Sequence, residues 1–390
     1  MARIRSIVVF GAGAIGKGLI GLQFSQAGSR ITFVDIKDDL VHRLRDAGRY
    51  RVLLHRLDGT RKEEAVEGFC VLRAADRDAV AREMVAADLV MTAVFPQNLP
   101  DVAQTIALGV DRCRLAGRRE PLNCIACENM KNGSATLAGC VAGRMAADSR
   151  RYAVEIVGFP NCMVNRVVPN ARDPLYVETE DYCEWTLDAN AVKGEWPEGI
   201  DFLERVTNQA ARLERKLYVY NGSHAACAYF GFLRGHAWIH EAIADPEVVR
   251  QVGGTLDELA EVTRRHHGFS MDSMENYKRD FWLRCRNPGL KDEVVRIARQ
   301  PKRKLARWDR LIAPAKLALQ YGLPRRHIVE AIAAALSFRH PDDEQSLELG
   351  RELEKNGIRA TLSEVSELDA TDPLAAEIEA CCRRGVALRM

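Results

Sequence analysis

A glycine-rich turn directly follows the first apolar run of the chain. Residues 4–10 are mostly β-branched and apolar, which predicts a buried strand. Gly11, Gly13 and Gly16 then fit G-x-G-x-x-G and open a helical stretch at residues 16–27. In this context the first glycine permits a tight turn, the second lets a pyrophosphate approach the backbone, and the third lets helix and strand pack closely. The feature predicts a Rossmann-type βαβ unit that holds a dinucleotide at a helix N-terminus.

The second predicted strand, residues 31–34, ends at an acidic side chain, Asp35. A carboxylate there accepts hydrogen bonds from the adenosine ribose hydroxyls and repels a 2′-phosphate. It favours NAD over NADP, although Lys37 nearby argues mildly the other way. The alternative is a glycine-rich turn on another α/β fold, with Asp35 at a solvated strand end. The expected cofactor-binding residues are Gly11, Gly13, Ala14, Ile15, Gly16, Asp35 and Ala93.

The spacing of apolar residues divides the chain into two parts. Strand and helix alternate in the first half, which implies right-handed crossovers and a mostly parallel sheet. Residues 193–199 are rich in Gly, Pro and charge, and helical patterns dominate from residue 201 on. We therefore predict an α/β Rossmann-type domain over residues 1–195 and an all-α substrate and catalytic domain over residues 196–390. Further strands are predicted at residues 88–94, 122–127, 153–157 and 176–179.

Composition excludes several classes of protein. Lys+Arg number 56 and Asp+Glu 54, so the net charge of +2 gives no overall attraction to nucleic acid or an anionic membrane. No apolar run approaches the ~18 residues that span a bilayer. Arg3 and Arg5, followed by the stretch IVVFGAGAIG, could pass for the start of a signal peptide, but the glycine spacing and Lys17 favour a strand. The 11 cysteines lie mostly in apolar stretches, which indicates reduced thiols in the cytoplasm. We expect a small-molecule substrate, and the oligomeric state stays open.

An amine, an amide and an imidazole lie close together in the second half of the chain. Lys216, Asn221 and His224 precede the apolar stretch AACAYFGFL. On a helix at ~100° per residue they fall within an arc of about 140°. If a dinucleotide accepts a hydride, the reaction needs a base for the alcohol proton and donors where negative charge develops on oxygen. The alternative is a surface lysine, a capping asparagine and a buried histidine, and spacing alone supports both equally.

The histidines and cysteines do not have the spacing of a metal site. His266 and His267 are adjacent, so we expect them to point to different sides of a helix. His236 and His240 could share a face, at i and i+4, but lack an obvious third ligand. Cys124-x-x-Cys127 is a lone pair inside a predicted strand. We therefore predict no metal.

Family-specific motifs occur along most of the chain. Lys216-x4-Asn221-x2-His224 matches the signature of the polyol-specific long-chain dehydrogenases. Within that family the chain most resembles the mannitol-1-phosphate 5-dehydrogenases. The stretches that carry this resemblance are VVFGAGAIGKGLIG, PLNCIACENMKNG, FPNCMVNRVVP, ERKLYVYNGSHA, NPGLKDEVVRIARQPKRKL and YGLP…IVEAIAAAL.

The resemblance implies a metal-free enzyme that interconverts D-mannitol 1-phosphate and D-fructose 6-phosphate with NAD. It implies that Lys216 is the general base in oxidation and the general acid in reduction. Asn129 and Asn221 would hydrogen-bond the reacting oxygen, and His224 would orient the substrate hydroxyls. A free lysine, with a pKa of ~10.4, is a poor base at neutral pH, so apolar burial and the positive nicotinamide ring must lower its pKa.

A run of basic residues lies downstream: Arg296, Arg299, Lys302, Arg303, Lys304, Arg307 and Arg310. Pro301 suits a first helical position, so residues 302–304 would offer N–H groups and side chains to an anion. We expect Arg299, Arg303 and Lys304 to contact the phosphate or the polyol. The alternatives are a solvated helix face or a nucleic-acid contact, although Trp308 is the only aromatic residue in the run.

Some positions depart from the family pattern. Asn165 stands where many members carry Asp, at a position expected to touch substrate hydroxyls. Phe95 stands where the phosphate-specific enzymes usually have a small residue. The sequence therefore also allows an NAD-dependent dehydrogenase of a free polyol or sugar acid, such as mannitol, arabinitol or fructuronate. A catalytically silent NAD-binding sensor is a third possibility, but a sensor does not need the base Lys216.

Overall fold

The computed structural model describes residues 4–169, 173–197 and 199–385. It contains two compact units, Met1–Arg212 and Leu213–Met390, called here the first and the second unit. The first unit extends past the predicted boundary at residue 195. This is because Ile200 and Leu203 lie in the same apolar core as Phe24 and Trp185.

The first unit contains strands and helices in alternation over most of its length. Its helix after the glycine turn includes a π-helical stretch, Gly16–Gly21. The strands are β1 (Ser6–Phe10), β2 (Arg30–Asp35), β3 (Arg49–His55), β4 (Arg61–Glu67), β5 (Cys70–Arg73), β6 (Leu89–Thr92), β7 (Leu122–Ala126), β8 (Val157–Gly158), β9 (Cys162–Asn165), β10 (Tyr176–Glu180), β11 (Glu184–Asp188) and β12 (Glu204–Val206). The helices are α1 (Leu22–Gln26), α2 (Asp38–Ala47), α3 (Arg77–Val85), α4 (Leu99–Leu115), α5 (Gly133–Ala142) and α6 (Ala147–Ile156).

A six-stranded parallel sheet forms the centre of the first unit, in the order β5-β2-β1-β6-β7-β8. The central strand β1 is buried on both faces. Ile7 and Val9 lie in one apolar core, and Val8 and Phe10 lie in another. Double-sided burial explains why β1 is a continuous apolar run rather than an alternating one. Strand order reverses between β1 and β6, and in such sheets ligands bind at the carboxyl ends of the strands beside the reversal.

Two details of the first unit differ from the sequence prediction. Residues 153–157 were expected to form a strand, but α6 covers residues up to Ile156, because Ser149 and Ala153 are buried with helical i, i+4 spacing. The sequence analysis largely missed two further three-stranded sheets, β10-β3-β4 and β12-β11-β9. Strand β4 is mostly charged and exposed, so it has no apolar alternation to detect.

The second unit is helical in the part of the chain that the structure describes, apart from an isolated bridge between Trp238 and Glu293. Its central helix, α8, is buried on all sides and packs against α10, α12 and α15. A π-helical stretch, Lys216–Tyr220, joins α7 to α8. The chain passes from the first unit to the second within α7 (Gln209–Arg215). The other helices of the second unit are α8 (Asn221–Leu233), α9 (Ile239–Ala242), α10 (Pro246–His267), α11 (Met271–Cys285), α12 (Val294–Ala298), α13 (Pro301–Lys304), α14 (Ile312–Gln320), α15 (Arg326–Ser337), α16 (Glu344–Ser366) and α17 (Pro373–Arg384).

Short 3₁₀ turns connect several of these elements, at Pro96–Asn98, Ala189–Ala191 and Pro288–Leu290. None of the described helices is both long enough and apolar enough to cross a bilayer.

Candidate active site

The glycine turn between β1 and the following helix has the geometry of a dinucleotide-binding turn. Gly11 has a φ of 95°, and a Cβ atom there would lie 2.4 Å from the carbonyl oxygen of Ala93. A Cβ at Gly16 would lie 1.9 Å from the carbonyl oxygen of Gly11. A Cβ at Gly13, in contrast, would have no heavy atom of the described residues within 4 Å. Packing therefore requires glycine at the first and third positions, whereas Gly13 borders the open space into which the sequence places the pyrophosphate.

Asp35 ends β2 beside this turn. Its carboxylate accepts hydrogen bonds from the backbone N–H groups of Ala12, at 2.8 Å, and Lys37, at 2.9 Å. These contacts hold the carboxylate at a cavity of about 410 Å³. Gly11, Asp35, Ile36, Ala74, Ala75 and Asn98 are among the residues that line it. The structure thus brings the predicted glycine and acid together.

The sequence analysis missed Ala74, Ala75 and Asn98 of this cavity. They lie just after β5 and after β6, at the carboxyl edge of the sheet. Of the remaining predicted cofactor residues, Ala14 and Ile15 begin the helix after the turn. Ala93 follows β6, and its N–H donates to the carbonyl oxygen of Phe10 at 2.7 Å.

Lys17, next to the last glycine, is a buried cation that the sequence analysis did not assign to the site. Its Nζ donates to the carbonyl oxygen of Pro174 at 2.8 Å. Burial lowers the pKa of Lys17 to about 8, although the charges of Asp35 and Asp173 act in the opposite direction. The first helical turn therefore has a lysine that titrates close to neutral pH.

Asn129 lies in the turn after β7 and is exposed. Glu128 before it is buried, and burial raises its pKa. The Glu128 carboxylate accepts hydrogen bonds from the hydroxyl of Thr92, at 2.8 Å, and from the backbone N–H of Val94, at 2.9 Å. Glu128 thus connects the ends of β6 and β7 and positions the turn that carries Asn129. The sequence analysis overlooked it, although it belongs to the CENM motif.

Asn165, at the end of β9, is buried. It pairs across the sheet with Glu184 of β11, and its Nδ2 donates to Glu184 Oε2 at 3.3 Å. An aspartate at position 165 would place two carboxylates side by side, which is unfavourable. The neighbouring glutamate therefore favours an uncharged amide at position 165.

Lys216, Asn221 and His224 lie on consecutive turns of one helical segment. The expected regular helix is interrupted, because Lys216–Tyr220 is π-helical and the N–H of Asn221 donates to the carbonyl oxygen of Lys216. This i→i+5 bond places Asn221 one turn after Lys216. His224 follows Asn221 by three residues in α8, which is close to one α-helical turn. The structure therefore brings the three predicted residues to one side of the segment.

His224 has a carboxylate neighbour that the sequence analysis missed. Its Nε2 lies 3.3 Å from Oδ2 of Asp292, in the stretch NPGLKDEV. Burial alone would raise the pKa of Asp292, but contact with His224 and the charges of Arg296 and Arg284 hold it below its usual range. The guanidinium of Arg284 lies 3.8 Å from the centre of the Tyr220 ring, which is 5.5 Å from the His224 ring. His224 is thus enclosed by an ordered set of charges and rings.

The structure separates the basic run into paired and unpaired cations. Arg296 pairs with Asp292, and Lys302 with Glu348 and Glu352. Arg299 and Arg303, both exposed, have no carboxylate within ion-pair distance among the described residues. We call Arg299, Arg303, Lys304 and Arg310 the basic cluster; its nearby carboxylate, Asp309, pairs with Arg310 at 2.6 Å.

Lys304 is the buried member of the basic cluster, 3% exposed, and its Nζ donates to the carbonyl oxygen of Arg299. Burial, followed by the charges of Arg310 and Arg303, lowers the pKa of Lys304 to about 7. Arg303 as a whole residue is exposed, but the partial desolvation of its guanidinium, followed by the charge of Arg310, lowers its pKa. The cations therefore repel one another without full compensation.

The backbone around the basic cluster differs from the expectation. The N–H groups of Arg303 and Lys304 already donate to Gln345 and to the Gln300 carbonyl, so they are not offered to an anion. The cluster does lie against the segment with Lys216, because a Cβ at Gly222 would be 2.9 Å from the carbonyl oxygen of Arg310.

The histidine pairs also differ from the expectation. His236 precedes α9 and contacts Asp245, so it does not share a helix face with His240. His266 and His267 do not point to different sides of α10, since their ring centres are 4.5 Å apart. Both rings turn toward Glu214 at the end of the helix.

Comparison with known proteins extends over nearly the whole chain. Residues 5–199 match the Rossmann domain of mannitol dehydrogenases, and residues 210–383 match the mannitol dehydrogenase C-terminal domain. Among solved structures, substrate-free D-sorbitol dehydrogenase matches with a TM-score of 0.82 and 17% identity, over 99% of this chain and 97% of that chain. The Pseudomonas fluorescens mannitol 2-dehydrogenase ternary complex with NAD and D-mannitol matches with a TM-score of 0.74 and 16% identity, over 98% and 93% of the two chains.

These matches confirm several predictions made from the sequence. They confirm a Rossmann-type domain followed by a helical domain, NAD as the cofactor, and an enzyme that acts on a CH–OH group. The chain therefore belongs to the mannitol dehydrogenase family, a family of NAD-dependent polyol dehydrogenases.

Proposed function

We propose that this protein interconverts D-mannitol 1-phosphate and D-fructose 6-phosphate with NAD. The observation that carries the phosphate assignment is the basic cluster. Arg299 and Arg303 lack carboxylate partners among the described residues, and the cluster packs against Gly222, next to Asn221. Uncompensated cations beside a reactive segment suit a substrate with a dianionic end.

Lys216 is the proposed general base. In oxidation, its neutral amine would take the proton of the substrate hydroxyl, and NAD held at the glycine turn would supply the hydride acceptor. In reduction, the protonated amine returns the proton to the oxygen. The i→i+5 turn, which sets Asn221 one turn after Lys216, supports the side-chain amide of Asn221 as the proposed donor to that oxygen. Asn129 has the same proposed role.

His224 and Asn165 are the proposed contacts of the substrate hydroxyls. Asp292, at 3.3 Å from His224 Nε2, favours one orientation of the imidazole. The amide of Asn165 and the neighbouring carboxylate of Glu184 together offer both hydrogen-bond donors and acceptors to substrate hydroxyl groups.

Arg299, Arg303 and Lys304 are the proposed phosphate contacts. Lys304 has a pKa of about 7 because it is buried beside Arg310 and Arg303. A bound dianion would relieve this repulsion and favour the protonated lysine. Arg303 is exposed, so its guanidinium is available for a bidentate contact with phosphate oxygens.

A free polyol is the second candidate, and the structural neighbours favour it. The two matched structures are named for sorbitol and mannitol, which carry no phosphate. Phe95 is 71% exposed after β6, where the phosphate-specific enzymes usually have a small residue. In this case the basic cluster would contact hydroxyl groups, and its excess charge would have no counterpart in the substrate. A silent NAD-binding sensor is disfavoured by the ordered arrangement of Lys216, Asn221 and His224.

The deciding experiment compares NADH formation from mannitol 1-phosphate, mannitol and arabinitol, and NADH consumption with fructose 6-phosphate and fructuronate. We expect a preference for the phosphorylated pair. Arg303→Ala should raise the KM for mannitol 1-phosphate at least ~10-fold, since a charge-assisted hydrogen bond contributes ~1.5–3 kcal/mol. Arg307→Ala, in the same run but outside the basic cluster, is the matched control and should leave that KM unchanged.

The opposite outcome is equally clear. Activity confined to unphosphorylated substrates, with Arg303→Ala and Arg307→Ala indistinguishable, would reject the phosphate assignment and retain Lys216 as the base. Binding of NAD with no turnover of any of the five compounds would reject the proposed reaction.

A further inference from the structure

We propose that Glu214, His266 and His267 form a binding site for a divalent transition-metal ion such as Zn²⁺. The three residues belong to the second unit, where Glu214 lies on α7 and the two histidines end α10. This site is separate from the proposed reaction, and the proposal does not depend on which polyol is the substrate.

The ligand atoms converge on one point. Nε2 of His267 lies 2.8 Å and Nε2 of His266 lies 3.9 Å from Oε2 of Glu214. The ligand atoms of the three residues all lie within 4.8 Å of one another. A tetrahedral ion with bonds of ~2.1 Å spaces its ligands about 3.4 Å apart. The observed separations include shorter and longer values than this, so small side-chain rotations suffice to close the site around an ion.

The end of α10 permits this convergence. Adjacent residues in a helix diverge by about 100°. Here, however, the helix ends at His267, and Gly268 continues the chain with a φ of 73°. The two imidazole rings meet at 4.5 Å with planes at 68°. Both present Nε2 to the same carboxylate oxygen rather than to solvent on opposite sides.

A hydroxyl group orients the more exposed imidazole. Nδ1 of His266 lies 2.8 Å from the hydroxyl of Tyr321, which leaves Nε2 directed toward Glu214. Metal-bound histidines typically have this arrangement, in which the second ring nitrogen is held by a hydrogen-bond partner. A simple His267–Glu214 ion pair would explain the shorter contact, but it requires neither His266 nor Tyr321.

The donor set defines the class of ion. Two imidazoles and one carboxylate suit Zn²⁺, Co²⁺ and Ni²⁺ rather than Ca²⁺ or Mg²⁺, which prefer all-oxygen sites. Three protein ligands leave a fourth position for water. The side chains are partly exposed, from 10% for His267 to 32% for His266, so an ion can enter from solvent. A bound ion would connect α7, two residues before Lys216, to α10.

The test is a titration of the full chain, freed of metal by a chelator, with Co²⁺ and Zn²⁺. We expect one equivalent of Co²⁺ to produce visible absorption bands of a four- or five-coordinate nitrogen–oxygen site, and calorimetry to give the same stoichiometry with Zn²⁺. His266→Gln, His267→Gln and Glu214→Gln should each weaken binding at least ~10-fold. His42→Gln, an exposed histidine on α2, is the matched control and should bind like the wild type.

Thermal unfolding distinguishes a variant that has lost a metal ligand from one that folds poorly. His266 is exposed, so His266→Gln should melt like the wild type in chelator, and Zn²⁺ should raise the melting temperature of the wild type but not of this variant. Three results would overturn the proposal. They are no stoichiometric binding by the wild type, equal affinity in the wild type and the three ligand variants, or a thiolate-to-Co²⁺ charge-transfer band, which would assign the ion to cysteines.

Discussion

The backbone N–H of Asn221 donates to the carbonyl oxygen of Lys216, five residues earlier. A regular α-helix would connect Asn221 to Leu217 instead. The wider turn sets Asn221, which is half-buried, one turn after Lys216 and leads into the buried residues 222–231 of α8. π-helical turns are rare, and they occur frequently at functional sites. The local distortion therefore coincides with the residues to which the family resemblance assigns the chemistry.

Lys216 provides the first prediction. Lys216→Met should lower kcat for oxidation by ~10²–10⁴-fold, because a positioned general base contributes about that much. The affinity for NAD, measured by quenching of NADH fluorescence or by calorimetry, should change less than about twofold. A variant that loses NAD binding in parallel with turnover would contradict the role of Lys216 as the base.

The second prediction compares two glycines of one turn. In Gly13→Ala the new methyl group meets only open space, so melting without NAD should match the wild type, while the Kd for NAD should rise ~10-fold or more. In Gly16→Ala the methyl group would lie 1.9 Å from the Gly11 carbonyl oxygen. That variant should melt at a lower temperature even without NAD. Normal NAD affinity in Gly13→Ala would show that the pyrophosphate does not approach this glycine.

Asp292 is the subject of the third prediction. Asp292→Asn removes a buried charge that faces His224, Arg284 and Arg296, so the free energy of unfolding at pH 7 should fall by about 3 kcal/mol. The folded pKa of Asp292 lies below its ordinary value of 3.8. Its stabilising contribution is therefore complete above that value and is lost as pH falls through the folded pKa.

Urea unfolding at pH 7 and in the acid range checks this prediction. The difference between the wild type and Asp292→Asn should be large at pH 7 and should shrink in acid. A difference that does not depend on pH would indicate that the carboxylate charge of Asp292 is not what stabilises the fold. The substrate KM should rise in the variant, since His224 loses the group that orients it.

The fourth prediction concerns Lys304, whose folded pKa of about 7 lies below its ordinary 10.5. Between these values the unfolded chain binds more protons, so the free energy of unfolding should rise with pH. Lys17 should likewise make the free energy of unfolding rise with pH, between about pH 8 and its ordinary pKa of 10.5. Lys304→Met should therefore make the rise smaller, and the contribution of Lys17 should remain.

Deprotonation of Lys304 should weaken the binding of a phosphorylated substrate as pH rises, whereas it makes the free energy of unfolding larger. A phosphate group binds the protonated lysine, so the KM for mannitol 1-phosphate should increase as pH rises through 7, while the KM for mannitol stays flat. Steady-state kinetics from pH 6 to 9 on the wild type and Lys304→Met measures both. If the KM values for the two substrates changed with pH in the same way, Lys304 would not be a phosphate contact.

The sequence alone determined the features that depend on neighbouring residues. The glycine turn, the acid at the end of β2 and the alternation of strands and helices follow from local backbone requirements and from apolar periodicity. For the same reason β1 was predictable, because both of its faces are buried and every residue is apolar or small. The charged strand β4 was not predictable, because its residues have no apolar alternation. Its strand conformation depends on the backbone pairing with β3.

Tertiary structure decided how distant segments combine around the functional residues. Asp292 reaches His224 from a segment 68 residues later in the chain, and Glu184 reaches Asn165 across a strand pair. Burial of Lys304 beside Arg310 turned an ordinary lysine of a basic run into a group that titrates near pH 7. The end of α10 directed two adjacent histidines to one carboxylate. Burial, charge neighbours and side-chain convergence are properties of three-dimensional packing, so no pattern of residues along the chain contains them.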